Sequence, residues 1–202
     1  MAEALESLAE YIAVSQGSAV RSWRVASNEL TLVTDAAHVV ALLTFLRDDS
    51  GTLFKQCVDI TAVDYPDRPD RFEVVYHLLS HTRNQRIRVV LDANASVPIP
   101  SVTSIYPSAG WCEREVWDMY GVFFAGHPDL RRILTDYGFD GHPQRKDFPL
   151  TGFVELRYDE AQKRVVYEPV KLTQAFRSFD YTSPWEGMDR VIDEHKKAEG
   201  AS

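Results

Sequence analysis

Apolar positions recur at helical spacing at the start of the chain. Leu5, Leu8, Ala9 and Ile12 make one stripe with glutamates elsewhere, which predicts a helix over residues 3–14. Asn28-Glu29 leads into LTLVT, whose alternating Leu30 and Leu32 predict a short strand. Thr34 or Asp35 can cap a second helix, in which Ala36, Val39, Val40, Leu43 and Leu46 form the stripe and Ser50-Gly51 the stop. A β-meander follows. LFKQCVDITAV is rich in strand formers and ends at the turn Pro66-Asp67-Arg68-Pro69-Asp70. RFEVVYHLL then alternates Phe72, Val74, Tyr76 and Leu78 on one face. HTRNQ is polar enough for a turn, and RIRVVL puts Ile87, Val89 and Leu91 opposite Arg86 and Arg88. Helices set against an antiparallel sheet define an α+β fold. Pro98 and Pro100 mark a boundary, so residues 1–97 are expected to form an N-terminal α+β domain.

Residues 98–202 are expected to form a helix and a long, partly extended arm. A helical signal at Ser101–Tyr106 breaks at Pro107. Ser108 can cap a helix running to Tyr120, with Cys112, Val116, Met119, Tyr120 and Phe123 as its apolar stripe. Gly121 is placed to end it. Arg114 and Asp118, four apart, can pair on its surface. Beyond Gly121 periodicity is lost except for short helices expected at Thr173–Phe179 and near the C-terminus. Yet 16 of the 23 aromatic residues lie after position 100, and a flexible tail should be poor in aromatics. Such a segment is expected to fold against something else, because aromatics and arginines are enriched in interface cores.

Composition narrows the function classes. The net charge is −8 and neither the α+β region, the 113–147 segment nor the tail is basic, which disfavours nucleic-acid binding and adhesion to anionic lipid. Two cysteines, Cys57 and Cys112, argue against a disulfide-stapled fold and cannot hold a four-ligand Fe–S cluster. Glu3, Glu6 and Glu10 fit neither a secretory signal nor a transit peptide. The most apolar stretch, AAHVVALLTFL, is short of the roughly 20 residues a membrane span requires, so no direct membrane insertion is expected.

The densest ionisable stretch, Glu113–Leu150, contains Gly-His-Pro at Gly126 and again at Gly141. His127 and His142 invite a metal reading, with Asp129, Asp136 or Asp140 as oxygen donors, but zinc prefers compact ligand spacings. Each triplet reads better as a turn, Pro fixing φ and Gly allowing positive φ. His77 and His81 fall in a strand and turn, a poor metal pair. Glu113 and Glu115 point to different faces of a helix and make a poor acid/base couple. With Arg114 and Asp118 they read as a solvated or partner-facing charged surface. Cys112 reads as a packed thiol. A nucleophile elbow, a P-loop and a dinucleotide fingerprint are absent. No catalytic, cofactor-binding or metal residue is therefore expected. The bottom-up reading is an interaction subunit, with an independent metallohydrolase built on His127 and His142 as a competitor.

One pattern in this stretch carries a resemblance. ERE (Glu113, Arg114, Glu115), two residues, DMY (Asp118, Met119, Tyr120), six residues, His127, three residues, then RRIL from Arg131 and Arg132 resembles the signature of the 30 kDa subunit of respiratory complex I. TDYGFDGHPQRKDFPLTGFVELRYDE, with Arg145 and Lys146, is similar to the same family, and PDRPDRFEVVYHLLS more loosely so. The resemblance implies a subunit of the hydrophilic arm of a proton-translocating NADH:quinone oxidoreductase, packed on the 49 kDa-type subunit beside the quinone site. FMN, Fe–S clusters and quinone would then lie in partner subunits and none in this chain. It also implies a peripheral place on the cytoplasmic face of a bacterial inner membrane, or the matrix side in an organelle. The signature residues named above would be partner-interface residues. The equivalent subunit of a membrane-bound hydrogenase, or of a quinone oxidoreductase with another donor, is the alternative.

Overall fold

The computed structural model of the chain describes residues 2–174, 176 and 177. These fall into two units, residues 1–152 and residues from 153 onward. The first unit opens with α1 (Ala2–Gln16), a 3₁₀ turn at Gly17–Ala19, and the hairpin β1 (Ser22–Ala26) and β2 (Glu29–Thr34). Helix α2 (Val39–Asp48) and the strands β3 (Gln56–Asp64), β4 (Phe72–Ser80) and β5 (Gln85–Ala93) follow. The unit then adds β6 (Ile99–Pro100), α3 (Ala109–Tyr120) and β7 (Phe124–Ala125). β6 pairs in parallel with β7, so the proline segment where composition placed a boundary runs inside this unit. The second unit holds the antiparallel hairpin β8 (Val154–Asp159) and β9 (Arg164–Pro169).

The main sheet has strand order β1-β2-β5-β4-β3. All its pairings are antiparallel except β2 with β5, a parallel pair that local patterning could not indicate. The β4 face of Phe72, Val74, Tyr76 and Leu78 is buried, as alternation predicts, and so are Ile87, Val89 and Leu91 of β5. Leu30 and Leu32 lie in register with Ile87 and Val89. One contiguous core joins this face to Leu5, Ala9 and Ile12 of α1, Leu42, Leu43 and Leu46 of α2, and Val116 of α3. Each such leucine contributes roughly 1.5–3 kcal/mol through loss of apolar surface from water. The fold is α+β, with helices covering one face of the sheet.

Several local details depart from the pattern-based expectations for physical reasons. β1 shows little apolar alternation because it is an edge strand; its turn to β2 puts Ser27 and Asn28 at φ of 52° and 60°, the geometry of a tight two-residue hairpin. A bulge between Cys57 and Asp59 resets the phase of β3, so that Cys57 and Ile60 both face the core. Helix α2 starts at Val39, not at Ala36, because Thr34 donates its hydroxyl to the carbonyl of Ala19 and residues 36–38 form a turn. Ser108 stands at the N-cap of α3, but its hydroxyl donates to the carbonyl of Cys57, tying helix to sheet. The helix expected near the C-terminus lies outside the described residues, as does part of the one at Thr173–Phe179. No helix among the described residues is long and apolar enough to cross a membrane.

Candidate functional site

The signature residues assemble around α3. Asp118 projects from its last turn and is completely buried. Its Oδ2 accepts the backbone N–H groups of Ile133 (3.0 Å), Leu134 (2.8 Å) and Thr135 (3.0 Å). Its Oδ1 accepts the Thr135 hydroxyl at 2.6 Å and Arg132 at 2.7 Å. Burial alone would raise this carboxyl's pKa, but the donors from Thr135, Leu134 and Arg132 outweigh it and hold it well below the usual range. One turn earlier, Arg114 donates to the carbonyls of Arg131 (3.1 Å) and Arg132 (2.9 Å). One helix face thus satisfies both the N–H and the C=O groups of the 131–135 loop.

The segment 141–147 completes the other end of the helix. A helix leaves its last carbonyls without partners. Here His142 Nδ1 hydrogen-bonds the Asp118 carbonyl at 3.0 Å, the Gln144 N–H donates to Met119, and Arg145 Nε donates to Tyr120 at 2.7 Å. Gly121 N–H closes on Trp117 in the left-handed conformation expected of it, φ 79°. A Cβ there would lie 2.6 Å from His142 Nε2. The guanidinium of Arg145 suits the negative end of the helix dipole and lies over Phe72, 5.3 Å from its ring centre. Arg132 stacks between Trp117 and Phe139, 5.6 Å from each. The segment is then fastened to the sheet. Lys146 N–H donates to Asp64, and Arg71 pairs with both Asp64 and Asp147. Hydrogen bonds from Arg71 hold the Asp64 carboxyl below its usual range against the effect of burial.

At the front of the helix, Glu113 is also fully buried. It accepts Val102 N–H at 2.7 Å and the Ser101 hydroxyl at 2.6 Å. Burial raises its pKa, and these two bonds offset only part of that. Both Gly-His-Pro triplets are turns, with Gly126 at φ 80° and Gly141 at 99°. His127 uses both ring nitrogens: Nδ1 accepts Asp129 N–H at 3.0 Å, so Nε2 carries the proton and donates to the Gly110 carbonyl at 2.9 Å. His142 donates to a different carbonyl. Neither arrangement presents a pair of free lone pairs to a shared metal. Among the described residues no group of three or more His, Cys, Asp or Glu is placed to hold a metal ion.

The expected charged surface on α3 is therefore corrected for three of its members. Glu113 and Asp118 have no exposure and Arg114 is 9% exposed, so they face the chain's own loops. Arg114 and Asp118 do not pair with each other; they grip opposite polarities of one loop. Met119 is buried, while Glu115, Arg131 and Lys146 remain exposed. Sequence reasoning missed Asp64 and Arg71, which anchor the far end of the segment. The acid-rich turn beside Arg71 was visible, but its partner lies 76 residues away at Asp147.

The ionisable side chains of α3 in this stretch bind chiefly the chain's own backbone, and comparison with known proteins gives the family. Residues 32–154 match the family model of the respiratory-chain NADH dehydrogenase 30 kDa subunit. The chain is 60% identical to the C subunit of NADH-quinone oxidoreductase from Sinorhizobium medicae over 198 residues, covering 98% of both chains. It is 61% identical to the protein of the same name from Paramagnetospirillum magneticum over 197 residues, 97% of this chain and 99% of that one. The chain belongs to the 30 kDa subunit family of respiratory NADH dehydrogenase.

Proposed function

We propose that this chain is a non-catalytic scaffold subunit of the hydrophilic arm of a proton-pumping NADH:quinone oxidoreductase. It is one component of the enzyme, and electron transfer from NADH to quinone belongs to the whole assembly. The chain carries no cofactor; FMN, Fe–S clusters and quinone reside in partner subunits. It packs on the 49 kDa-type subunit that helps form the quinone site, peripheral to the membrane on the cytoplasmic side, or the matrix side in an organelle. Family membership supports the subunit role, and the chemistry of the hairpin β8–β9 supports the docking role.

That hairpin is the observation that carries the reading. Register puts Val154, Leu156 and Tyr158 of β8 on one face with Pro169, Tyr167 and Val165 of β9. Glu155, Arg157, Asp159, Arg164 and Glu168 occupy the other, with Val166. Val154, Leu156, Tyr158, Val165 and Tyr167 are each more than half exposed. An isolated two-stranded ribbon is marginal in water, and one with a continuous apolar face calls for a cover. A protein partner with an apolar surface meets that need.

Tagging the chain, solubilising native membranes gently and purifying its companions tests the reading. The 49 kDa-type subunit, FMN, Fe–S clusters and NADH:quinone activity in one assembly are expected. The same assembly without NADH oxidation would point to a relative with another donor, and a lone chain would overturn the proposal.

A further inference from the structure

Arg114 holds an unbalanced position. It is buried, yet among the described residues its guanidinium bonds only to two neutral carbonyls and has no carboxylate in ion-pair contact. The carboxylates near it are engaged elsewhere: Asp118 with Arg132 at 2.7 Å and Asp129 with Arg131 at 2.8 Å. A buried cation without an anionic partner is costly. Arg114 also lines a cavity of about 440 Å³, together with Arg131, Arg132, Asp136 and Tyr137. Asp136 turns one carboxylate oxygen to the N–H of Tyr137. The rim carries Tyr137, 94% exposed, and nearby Leu134 at 62%, a large apolar surface to leave in water.

We propose that this cavity is a socket for an acidic side chain, Asp or Glu, presented by a neighbouring protein of the assembly. The inference rests on the subunit reading above and names the chemistry of one contact within it. Guanidinium suits a carboxylate because its parallel N–H groups match the two oxygens. The exposed tyrosine at the mouth favours a protein surface over a free anion, because aromatic and arginine side chains together mark the energetic centres of interfaces. Loop 131–135, clamped by Asp118 and Arg114, holds the socket in shape before the partner arrives, which lowers the ordering cost of association.

The test is made in the assembled complex. With a benzoylphenylalanine replacing Tyr137, irradiation should cross-link this chain to another subunit at a peptide containing Asp or Glu. Arg131→Glu, at a 62% exposed side chain, should lower the amount of assembled complex about tenfold. Reversing the identified partner acid to lysine should restore it. The melting temperature of the isolated Arg131→Glu chain should match that of the wild type, separating docking from folding. Cross-links confined to this chain, to a second copy of it, or to a peptide without an acid would overturn the socket while leaving the subunit reading intact. Arg131→Glu assembling normally would do the same. A wild-type chain that purifies without other subunits would overturn both.

Discussion

Asp118 and Glu113 are two buried carboxylates on one helix with opposite electrostatics. Asp118 meets only donors, one of them charged. An amide in its place would turn an NH₂ toward N–H groups or toward Arg132, so Asp118→Asn should destabilise the isolated chain by about 3–5 kcal/mol in denaturant titration. Glu113 meets one N–H, one hydroxyl that can reverse its role and, more distantly at 4.0 Å, the His127 imidazole. Glu113→Gln should therefore cost less than about 1 kcal/mol at neutral pH. Acid titration offers an independent check. Asp118, Asp64 and Asp147 all have depressed pKa values in the folded chain. Their stabilisation is fully present above the unfolded carboxylate range, near 4, and is lost as pH falls below it. His142 acts at milder acidity: burial lowers its pKa, so stability should begin to fall as pH drops below about 6.5, where the unfolded imidazole takes up its proton. His142→Gln should flatten that limb of the pH–stability curve. Gly121→Ala should cost at least ~2 kcal/mol, since a Cβ is disfavoured at positive φ and here would also displace the groups that cap the helix.

At the level of elements, α1, β2, β4, β5 and α3 were legible because each has an apolar face of the right period. What escaped was set by distance along the chain. The β2–β5 pairing, the bulge in β3 and the Asp64–Lys146 contact join residues whose local sequence says nothing of one another. The signature motif itself was visible, but its charges read as surface because a buried Asp or Glu looks like any other until its donors are seen. Three of Asp118's donors are backbone N–H groups, which leave no trace in a sequence. The hairpin β8–β9 was missed for another reason: its two alternating runs, VELRYD and RVVYEP, are only six residues each and lie in a stretch rich in proline and glycine, where no long periodicity survives. Leu156→Glu on its apolar face should leave the melting of the isolated chain unchanged and reduce incorporation into the complex, read on native gels. Arg164→Ala on the polar face should leave both the melting and the incorporation unchanged.

For the molecule as a whole, the aperiodic stretch after Gly121 proved to have two characters. Residues 122–147 return to α3 and to the end of the sheet, although they contain only two residues of strand. Rapid amide exchange is the naive expectation for a segment without periodic structure. Instead, the amides of Ile133, Leu134, Thr135, Gln144 and Lys146 should exchange slowly in the isolated chain, as slowly as those of α3, while Arg131 and Arg132 exchange fast. Uniformly fast exchange across the segment would contradict the clamp. Order without secondary structure arises here because side chains take over the role of ladder partners.

The capping of α3 has a consequence for the order in which the protein can be made. Its last three open carbonyls are met by His142, Gln144 and Arg145, synthesised more than twenty positions later. A nascent chain that has just completed Tyr120 holds a helix whose end is still exposed to water and to chaperones. Nor can a shortened gene stop at Gly121, where the helix visibly ends, without leaving that end open; the earliest point at which the first unit is chemically finished lies beyond Asp147.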